Sequence, residues 1–256
     1  MLVDERRRRI LEEVRRRGSV SVTTLAQQLD VSGMTIRRDL ESLAAEGRLD
    51  KVHGGATLRR GASAEELDFD LTSERHLAEK EEIASAALEL IEPGMSVGIS
   101  AGSTTWTFAR RLAGVDDLTI VTNSLRVAEE FRRIDPARIV VLTGGVRTPS
   151  DALVGPVAEQ ALRTLHCDVV FLGVHGVDVT AGLTTPNLAE AETNRALVAS
   201  GGDVVVLADH TKFGRVGLTT IVPLSAVDTL ITDTYADPGA VAAAREHIED
   251  VRLAGE

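Results

Sequence analysis

The sequence predicts an α/β protein of two domains: a small N-terminal α+β unit and a larger domain built on a mainly parallel sheet covered by helices. Apolar residues recur at helical spacing through residues 4–46, and short Val/Ile/Leu runs alternate with amphipathic helices from residue 96 onward. Charge is also divided unevenly: residues 1–60 carry 13 Lys/Arg and 9 Asp/Glu, whereas residues 61–256 carry 15 and 30. A basic N-terminal segment followed by an acidic remainder suggests that the N-terminal segment binds a polyanion. The alternative is that these charges only form solvated surfaces, as blocks of charge often do.

Composition limits the function classes. The chain has 256 residues, 43% apolar and 26% charged, which is ordinary for a soluble globular protein large enough for two cores. It has no run of 18 apolar residues, and the opening MLVDERRRRI lacks the apolar stretch of a secretory signal. The single cysteine, Cys167, excludes an intramolecular disulfide and fits a reducing cytosol, so we predict a cytoplasmic protein with a buried thiol. No His/Cys cluster has the spacing of metal ligands, and we expect neither a metal nor a cofactor.

Apolar spacing predicts three helices at the N-terminus. The first spans residues 4–17 and carries a narrow apolar stripe on a charged cylinder. The second runs through TTLAQQL after a cap at Ser19 or Ser21. A short polar turn leads to Ser32, which is a good N-cap for a third helix over Gly33–Glu46.

The third helix has two different faces. Ile36, Leu40 and Leu43 recur at i, i+4 and i+7 and face inward. The opposite face presents Met34, Thr35, Arg37, Arg38 and Glu41. Two helices joined by a tight turn, the second with arginines in its N-terminal half, match a helix-turn-helix, whose arginines fork onto guanine or clamp phosphate. The alternative is a three-helix packing unit whose arginines are only solvated.

A predicted hairpin follows this helix and weakens that alternative. GRLDKVHGGATLRR indicates two short strands joined by a His53-Gly54-Gly55 turn. A hairpin after a recognition helix is a wing, whose basic side chains reach backbone phosphates. We therefore assign residues 1–60 to a winged helix-turn-helix and expect DNA contacts from Ser21, Thr23, Thr24, Ser32, Met34, Thr35, Arg37, Arg38, Arg48, Lys51 and His53.

The rest of the chain alternates between strand and helix patterns. Residues 61–75 lack periodicity and are predicted to link the first domain to a second one at 76–256. Strands are predicted at Ser96–Ser100, Leu118–Thr122, Arg138–Leu142, Val169–Gly173, Val204–Ala208 and Thr229–Thr232. Helices are predicted at Leu77–Ile91, Thr105–Leu112, Ser124–Ile134, Val157–Leu165 and Ala189–Ala199. This alternation indicates a Rossmann-like, mainly parallel sheet covered on both faces, which binds ligands beyond the carboxyl ends of its strands.

The end of the first predicted strand is typical of an anion site. Ser100 is followed by Ala101 and Gly102, and Gly102 lets the backbone approach a ligand closely. Ser103, Thr104 and Thr105 supply hydroxyls, and the helix that they open supplies free N–H groups, which together suit a phosphate. The segment is neither a Walker A loop nor G-x-G-x-x-G, so neither ATP nor NAD is implied.

Further polar groups follow the next strands. They are Asn123 and Ser124, then Gly144, Gly145 and Arg147, then Gly173 and His175. Each group alone is better explained as a structural turn, and Ser124 as a plain N-cap. Four such groups at successive strand ends favour a binding site for a small anionic metabolite.

The N-terminal motifs resemble one known family. The segment VSVTTLAQQLDVSGMTIRRDLESLAAEGRLDKVHGGATL contains an LA-x-x-L helix, a VS-x-x-TIRRDL recognition helix and an HGGA wing in one register. Together they strongly resemble the DNA-binding domain of the DeoR family of bacterial regulators. The small departure is Gly33, a weak helix former placed at the first turn.

The larger domain resembles the DeoR sensor across about residues 75–235. The segments that carry the resemblance are SAGSTT, VTNS, LTGG, DVVFLGVHGV, GLTTPNLAEAETNRA, ADHTKFG and LITD. The resemblance implies a fold similar to sugar-phosphate isomerases, in particular ribose-5-phosphate isomerase, and an effector that is a phosphorylated sugar or related metabolite. It also implies that the 102–105 loop takes the phosphate and that Asn123, Gly145, Glu190 and Lys212 line the sugar end.

Two positions depart from the usual sensor pattern. Ser100 stands where these sensors commonly have Asp, and Asn194 stands where Lys is frequent. Both changes remove charge near the implied pocket. A different or weakly bound ligand is therefore an open alternative.

The rival hypothesis is a sugar-phosphate isomerase with a DNA-binding appendage. Proton transfer next to a carbonyl needs a poised carboxylate, and the candidates by type are Asp178, Glu190, Glu192 and Asp209, with Lys212 as the cation. The acidic turn of such isomerases appears here as Gly173-Val174-His175-Gly176, without its carboxylate. We therefore expect a non-enzymatic repressor that binds double-stranded operator DNA and a metabolite as a homo-oligomer, either dimer or tetramer, and no membrane. A third possibility is a plain interaction protein whose α/β domain lacks a pocket.

Overall fold

A computed structural model describes residues 3–17, 19–45, 48–52, 54–57, 69 and 73–255. The chain divides into two compact units, Met1–Ala62 and Ser63–Glu256. Every helix in the described part of the chain is too short or too polar to span a lipid bilayer. Most of the predicted linker, 61–75, lies outside the described residues.

The first unit contains three helices and a small sheet. The helices are α1 (Val3–Arg17), α2 (Val22–Leu29) and α3 (Gly33–Ala45), and the strands are β1 (Ser19–Ser21), β2 (Asp50–Val52) and β3 (Gly55–Thr57). Ile10, Leu25, Ile36, Leu40 and Leu43 form the centre of its core. The three predicted helices and the hairpin are confirmed, although the last predicted residue of α3, Glu46, is not described.

Strand β1 is missing from the sequence prediction. The sheet has the order β1-β3-β2, and Val20 of β1 lies opposite Ala56 of β3 in an antiparallel pair. A side chain at Gly55 would place its Cβ 2.2 Å from the carbonyl oxygen of Val20, so only glycine allows β1 to pass there. Gly55 therefore belongs to a strand, whereas the sequence pattern assigned it to the turn. Three residues paired with a distant strand give no periodic signal of their own.

The second unit is built on a seven-stranded sheet in which every neighbouring pair is parallel. In spatial order its strands are β15 (Asp250–Ala254), β14 (Thr229–Asp233), β12 (Gly201–Leu207), β9 (Cys167–Gly173), β4 (Ser96–Ile99), β5 (Thr119–Thr122) and β6 (Val140–Leu142). Smaller antiparallel sheets join β7 (Val146–Arg147) with β8 (Leu153–Val154), and β10 (Gly176–Asp178) with β11 (Gly182–Thr185) and β13 (Thr219–Thr220). This confirms the predicted mainly parallel α/β sheet.

Helices cover both faces of this sheet. They are α4 (Leu77–Leu88), α5 (Ser103–Leu112), α6 (Leu125–Ile134), α7 (Pro156–Leu162), α8 (Leu188–Ala199) and α9 (Pro238–Arg245). Successive side chains of β9 point to opposite faces of the sheet. Val169 and Phe171 pack against α4, α5 and α6 on one face. Val170 and Leu172 pack with residues of α8 on the other face. Because both faces are buried, the strands are continuous apolar runs.

Several predicted boundaries are wrong by a few residues. Helix α4 ends at Leu88 rather than Ile91, and α7 ends at Leu162 rather than Leu165. At both helix ends the backbone forms a 3₁₀-type turn with i→i−3 hydrogen bonds. One of these bonds runs from the N–H of Leu165 to the carbonyl of Leu162 at 3.1 Å. Helix α9 and strand β15 were not predicted at all.

The single cysteine opens the central strand of the sheet. Cys167 is the first residue of β9 and is buried. Burial raises the pKa of its thiol, which keeps the group protonated and unreactive. The predicted buried thiol is confirmed.

Candidate functional site

Two serines fix the helices of the first unit at their N-termini. Ser21 Oγ accepts a hydrogen bond from the N–H of Thr24 at 3.1 Å, and Ser32 Oγ accepts one from the N–H of Thr35 at 3.1 Å. Each serine hydroxyl also pairs with the threonine hydroxyl, at 2.8 and 2.9 Å. The predicted caps at Ser21 and Ser32 are confirmed, and they set where α2 and α3 begin.

The solvent face of α3 carries the predicted recognition side chains. Met34, Arg37 and Arg38 are exposed, and Thr35 is half-buried. Neither arginine has an ion pair with the part of the chain that the structure describes. Both guanidinium groups are therefore available to a phosphate or to a guanine edge.

A residue that the sequence analysis did not single out holds α3 in place. Asp39 is only 3% exposed and accepts hydrogen bonds from Arg6 Nε at 2.5 Å and Arg7 Nε at 3.4 Å on α1. These bonds join α1 to the side of α3 that also buries Ile36 and Leu40. The position was detectable, because Asp39 falls at i+3 from Ile36 on the apolar stripe.

The predicted wing contributes two further exposed cations. Arg48 precedes β2, and Lys51 in β2 donates from Nζ to Glu41 Oε1 of α3 at 2.9 Å. Exposed pairs of this kind are worth at most about 1 kcal/mol, so Lys51 can exchange Glu41 for a phosphate. Thr23 is exposed and Thr24 half-buried at the start of α2, while His53 lies outside the described residues.

In the second unit, the predicted effector residues follow neighbouring strands of the parallel sheet. The loop after β4 is fixed by Ser100, whose Oγ accepts from the N–H of Gly173 at 2.9 Å and donates to the carbonyl of Ala101 at 3.2 Å. Gly102 is the N-cap of α5 and has a φ of 144°, which favours glycine. The first N–H groups of α5 have no acceptor within the helix and point toward this loop.

The three hydroxyls of the loop are not equivalent. Thr105 is buried, and its Oγ1 donates to the carbonyl of Gly102 at 3.0 Å. Thr104 is also buried, whereas Ser103 is half-buried. The backbone N–H groups and the hydroxyl of Ser103 are therefore the most accessible donors here.

Asn123 and Ser124 lie directly after β5 and hold backbone. Asn123 Oδ1 accepts from the N–H of Ala101 at 3.0 Å, and its Nδ2 donates to the carbonyl of Leu153 at 3.2 Å. Ser124 Oγ accepts from the N–H of Val127 at 3.2 Å and so caps α6. Both side chains are buried, and Asn123 is the one that holds the loop after β4.

Asp151, in the segment after β6, binds one arginine from that segment and one from α6. Gly144 and Gly145 both have positive φ, and Gly145 lies so close to β8 that a Cβ would be 2.6 Å from the carbonyl of Val154. Arg147 and Arg126 each donate from Nε to Asp151, both at 2.5 Å. Burial opposes ionisation of Asp151, but the two guanidinium groups outweigh it and lower the pKa of Asp151. Sequence reasoning did not identify Asp151, which lies in a loop without periodicity.

A cluster of buried charges lies beyond β12. Lys80 of α4 is 2% exposed, donates from Nζ to the carbonyl of Arg75 at 2.6 Å, and has a pKa lowered by burial to about 8. Burial disfavours the charged form of Asp209, but the charges of Lys212 and Lys80 and a hydrogen bond from Thr211 hold its pKa low. Lys80 was not predicted as a site residue, although it shares helical spacing with the buried Ile83 and Ala87.

His175 lies close enough to this charged cluster to be affected by it. Burial, followed by the charges of Arg215 and Lys212, lowers the pKa of His175 to about 4. Burial also lowers the pKa of Lys212, against the attraction of Asp209. His175 is therefore neutral at physiological pH.

Helix α8 carries the predicted effector residue Glu190 and also Asn194, one of the two departures from the sensor pattern. Glu190 accepts from Ser150 Oγ and from Thr185 Oγ1, both at 2.8 Å, so hydroxyls from two other segments fix its carboxylate. Asn194 lies one turn later and is 5% exposed, and its Oδ1 has no hydrogen-bond partner among the described residues. A groove of about 320 Å³ between α7 and α8 shares no residue with the predicted effector set.

The structure joins part of the predicted set directly. Ser100, Gly102, Thr105, Asn123 and Gly173 meet around the loop after β4. Lys212 and His175 belong to the charged cluster after β9 and β12, and Arg147 is committed to Asp151. The loop after β4 provides backbone donors, and the segment after β12 brings the buried Lys80 beside the half-buried Lys212. Donors and cations of these kinds suit a small polar anion.

Both units of the chain are similar to domains of one known family. The model of the DeoR-like helix-turn-helix domain matches residues 6–60, and that of the DeoR C terminal sensor domain matches residues 75–234. The chain is 38% identical over 250 residues to the HTH-type transcriptional regulator GlpR of Haloferax volcanii, covering 97% of this chain and 95% of that protein.

Two relatives are named as repressors. The chain is 32% identical over 253 residues to the putative aga operon transcriptional repressor of Escherichia coli O157:H7, covering 98% and 94% of the two chains. It is 31% identical over 229 residues to the glycerol-3-phosphate regulon repressor of Escherichia coli K12, covering 90% of each. Ribose 5-phosphate isomerase A from Methanocaldococcus jannaschii aligns over 52% of this chain and 53% of its own, with 19% identity and a TM-score of 0.40. A likeness of that size says nothing about activity.

Proposed function

The chain belongs to the DeoR family of DNA-binding transcriptional regulators, and we propose that it represses a carbohydrate or related metabolic operon under the control of a phosphorylated sugar or similar metabolite. Two relatives named as repressors, one of them of a glycerol-3-phosphate regulon, support both parts of this proposal. The observation that carries it is the loop after β4, which aims the N-terminus of α5 outward from the carboxyl edge of a parallel sheet.

DNA recognition is assigned to the solvent face of α3. We propose that Arg37 and Arg38 contact base edges or phosphates in the major groove, while Arg48 and Lys51 of the wing contact the backbone. In this proposal the Asp39–Arg6 pair has the role of orienting α3. We further propose a homo-oligomer, because paired recognition helices match half-sites about 34 Å apart or a multiple of that spacing.

The effector is assigned to the strand ends of the second unit. The phosphate would accept hydrogen bonds from the first N–H groups of α5 and from Ser103. By the family resemblance, Lys212 and Glu190 would line the sugar end, with His175 as a neutral neighbour. In this arrangement the backbone N–H groups bind the phosphate. The charged side chains then distinguish one sugar from another.

The chemistry of the carboxylates supports binding without turnover. A general base for proton abstraction works best with a pKa near the working pH, but nearby cations hold the pKa of Asp209 low. Both oxygens of Glu190 already accept hydrogen bonds from hydroxyls. Neither group is prepared to remove a proton from carbon.

Regulation would follow from a shift between DNA-compatible and DNA-incompatible states. An effector that binds one state better moves the population, and a coupling of about 1–3 kcal/mol changes operator affinity about 5–150-fold. Because both partners, an operator and a metabolite, meet in the cytoplasm, we place the protein there.

The test is fluorescence anisotropy with labelled DNA from upstream of its own and neighbouring genes, at one stated salt concentration. A panel of three- to six-carbon sugar phosphates is added, each beside its unphosphorylated counterpart as the matched control. We expect one phosphate to change the affinity about 5–150-fold while its counterpart does nothing. Operator binding that no phosphate alters contradicts the effector proposal, and absence of sequence-specific binding contradicts the regulator proposal.

A further inference from the structure

We propose that His76, Glu79 and His210 form a site for a divalent transition-metal ion, with Zn²⁺ as the best match. One ligand atom from each side chain lies within 4.8 Å of the other two. Two imidazoles and one carboxylate are the donor set of Zn²⁺ sites with three protein ligands and an open fourth position. Ca²⁺ and Mg²⁺ prefer oxygen ligands and fit this set poorly.

The fold brings these three residues together from two distant segments. His76 precedes α4 with a φ of 50°, and its Nδ1 lies 3.6 Å from Glu79 Oε1 in the first turn of that helix. His210 opens the short 3₁₀ helix His210–Lys212 after β12, and the two imidazole rings stand perpendicular with centroids 5.0 Å apart. Sequence spacing pointed to no metal site because His76 and His210 are far apart along the chain.

A buried carboxylate prepares His210 as a ligand. Its Nδ1 lies 3.0 Å from Asp233 Oδ1, and Asp233 is fully buried at the end of β14. Asp233 also accepts from the backbone N–H groups of His210 at 2.8 Å and Tyr235 at 3.0 Å, so its position is fixed. A carboxylate bound to one ring nitrogen keeps the proton there and turns the lone pair of Nε2 outward, as in many zinc sites.

The remaining adjustment is small. Tetrahedral donors about 2.1 Å from Zn²⁺ lie roughly 3.4 Å apart, so no two of the ligand atoms need to approach by more than about 1.4 Å. All three side chains are partly exposed, which leaves them free to rotate and gives the ion a path from solvent. The fourth position remains open to water.

Nearby charges oppose each other. Lys80 and Lys212 disfavour a cation, whereas the carboxylates of Asp209 and Asp233 favour one. Neutral imidazoles bind Zn²⁺ through coordination rather than net charge, so the donor set decides. Bound metal would tie the segment before α4 to the end of β12.

The test uses the untagged full-length protein after EDTA treatment and dialysis. Zn²⁺ is titrated against a chromophoric chelator, and Co²⁺ is added to record the visible absorption of a tetrahedral site. We expect one ion per chain, and we expect His76→Ala and Glu79→Gln each to weaken binding by at least about 10-fold. His247→Ala, which removes an exposed histidine outside the cluster, should leave the affinity unchanged.

Two further results would overturn the site. They are the absence of metal binding by wild-type protein at micromolar Zn²⁺ and full binding by a His76→Ala/His210→Ala double variant. If His210→Ala fails to fold, the two variants on the partly exposed His76 and Glu79 still decide the question. Zn²⁺ should also raise the thermal unfolding midpoint of wild-type protein but not of His76→Ala. Because the readout is metal itself, the outcome is independent of DNA and effector binding.

Discussion

Asn123 Oδ1 accepts a hydrogen bond from the backbone N–H of Ala101 at 3.0 Å, so the end of β5 holds the loop that leads from β4 into α5. The same amide donates from Nδ2 to the carbonyl of Leu153 at 3.2 Å. Because Asn123 is fully buried, water cannot replace either bond. One side chain therefore connects three segments around the proposed phosphate site.

Replacing Asn123 should lower the stability of the second unit. Asn123→Leu leaves a backbone N–H and a carbonyl without partners, at about 1–3 kcal/mol each, so we expect the free energy of unfolding to fall by roughly 2–6 kcal/mol. Asn194→Leu is the matched control, because the Oδ1 of that buried amide has no described partner to lose. Urea denaturation followed by circular dichroism compares the two. An equal decrease in the free energy of unfolding of both variants would contradict the prediction that the two hydrogen bonds of Asn123 stabilise the protein.

The recognition face of α3 makes a prediction about DNA. Arg37→Ala and Arg38→Ala should each weaken operator binding by about 10-fold or more, since a good base contact is worth about 1–3 kcal/mol. Arg132→Ala removes another exposed arginine, from the second unit, and is the control for net charge. Anisotropy titrations at several salt concentrations separate the two roles: a phosphate contact lowers the salt slope by about one. Unchanged operator affinity in both α3 variants would refute the recognition-helix assignment.

The proposed phosphate site makes a prediction about charge. Ser103→Asp places a carboxylate beside the first N–H groups of α5, where it competes with and repels an anion. We expect the variant to bind operator DNA but to lose the effector response. Ser103→Asn introduces a side chain of nearly the same size as aspartate but without the charge. This variant should keep a measurable effector response. A normal response in Ser103→Asp would move the effector to another part of the unit.

His175 makes stability depend on pH. Its pKa is about 4 in the folded protein, against 6.5 for an ordinary histidine, because burial and the charges of Arg215 and Lys212 disfavour the cation. Between these values the unfolded chain binds more protons, so stability falls as the pH drops from 6.5 toward 4. At about 1.4 kcal/mol per pKa unit, we expect wild-type protein to lose roughly 1–3 kcal/mol over this window.

The comparison of variants isolates that contribution from the acid titration of carboxylates. His175→Gln should lose less stability over the same pH window, whereas His247→Gln, at an exposed position, should behave like wild-type protein. Urea midpoints measured at half-unit pH steps give the difference. Parallel curves for wild-type protein and His175→Gln would contradict the prediction.

Local patterns predicted most of the fold. Ile36, Leu40 and Leu43 alone identify the buried side of α3, and continuous apolar runs identify six of the seven strands of the parallel sheet. Strand β15 was missed because DVRLA mixes charged and apolar residues at the sheet edge and has one neighbour, β14. Strand β1 was missed for a similar reason, since three residues become a strand only through their partner.

The sequence by itself determined the family, the winged helix-turn-helix pattern and the strand ends at which polar residues follow apolar runs. These depend on spacing within a few residues, which helices and strands impose directly. Only the tertiary structure decided what each polar side chain bonds: Asn123 holds Ala101, Arg147 is committed to Asp151, Asp39 receives Arg6, and His76 meets His210. Such partners lie far apart along the chain, and burial makes each donor find the acceptor that the fold places beside it.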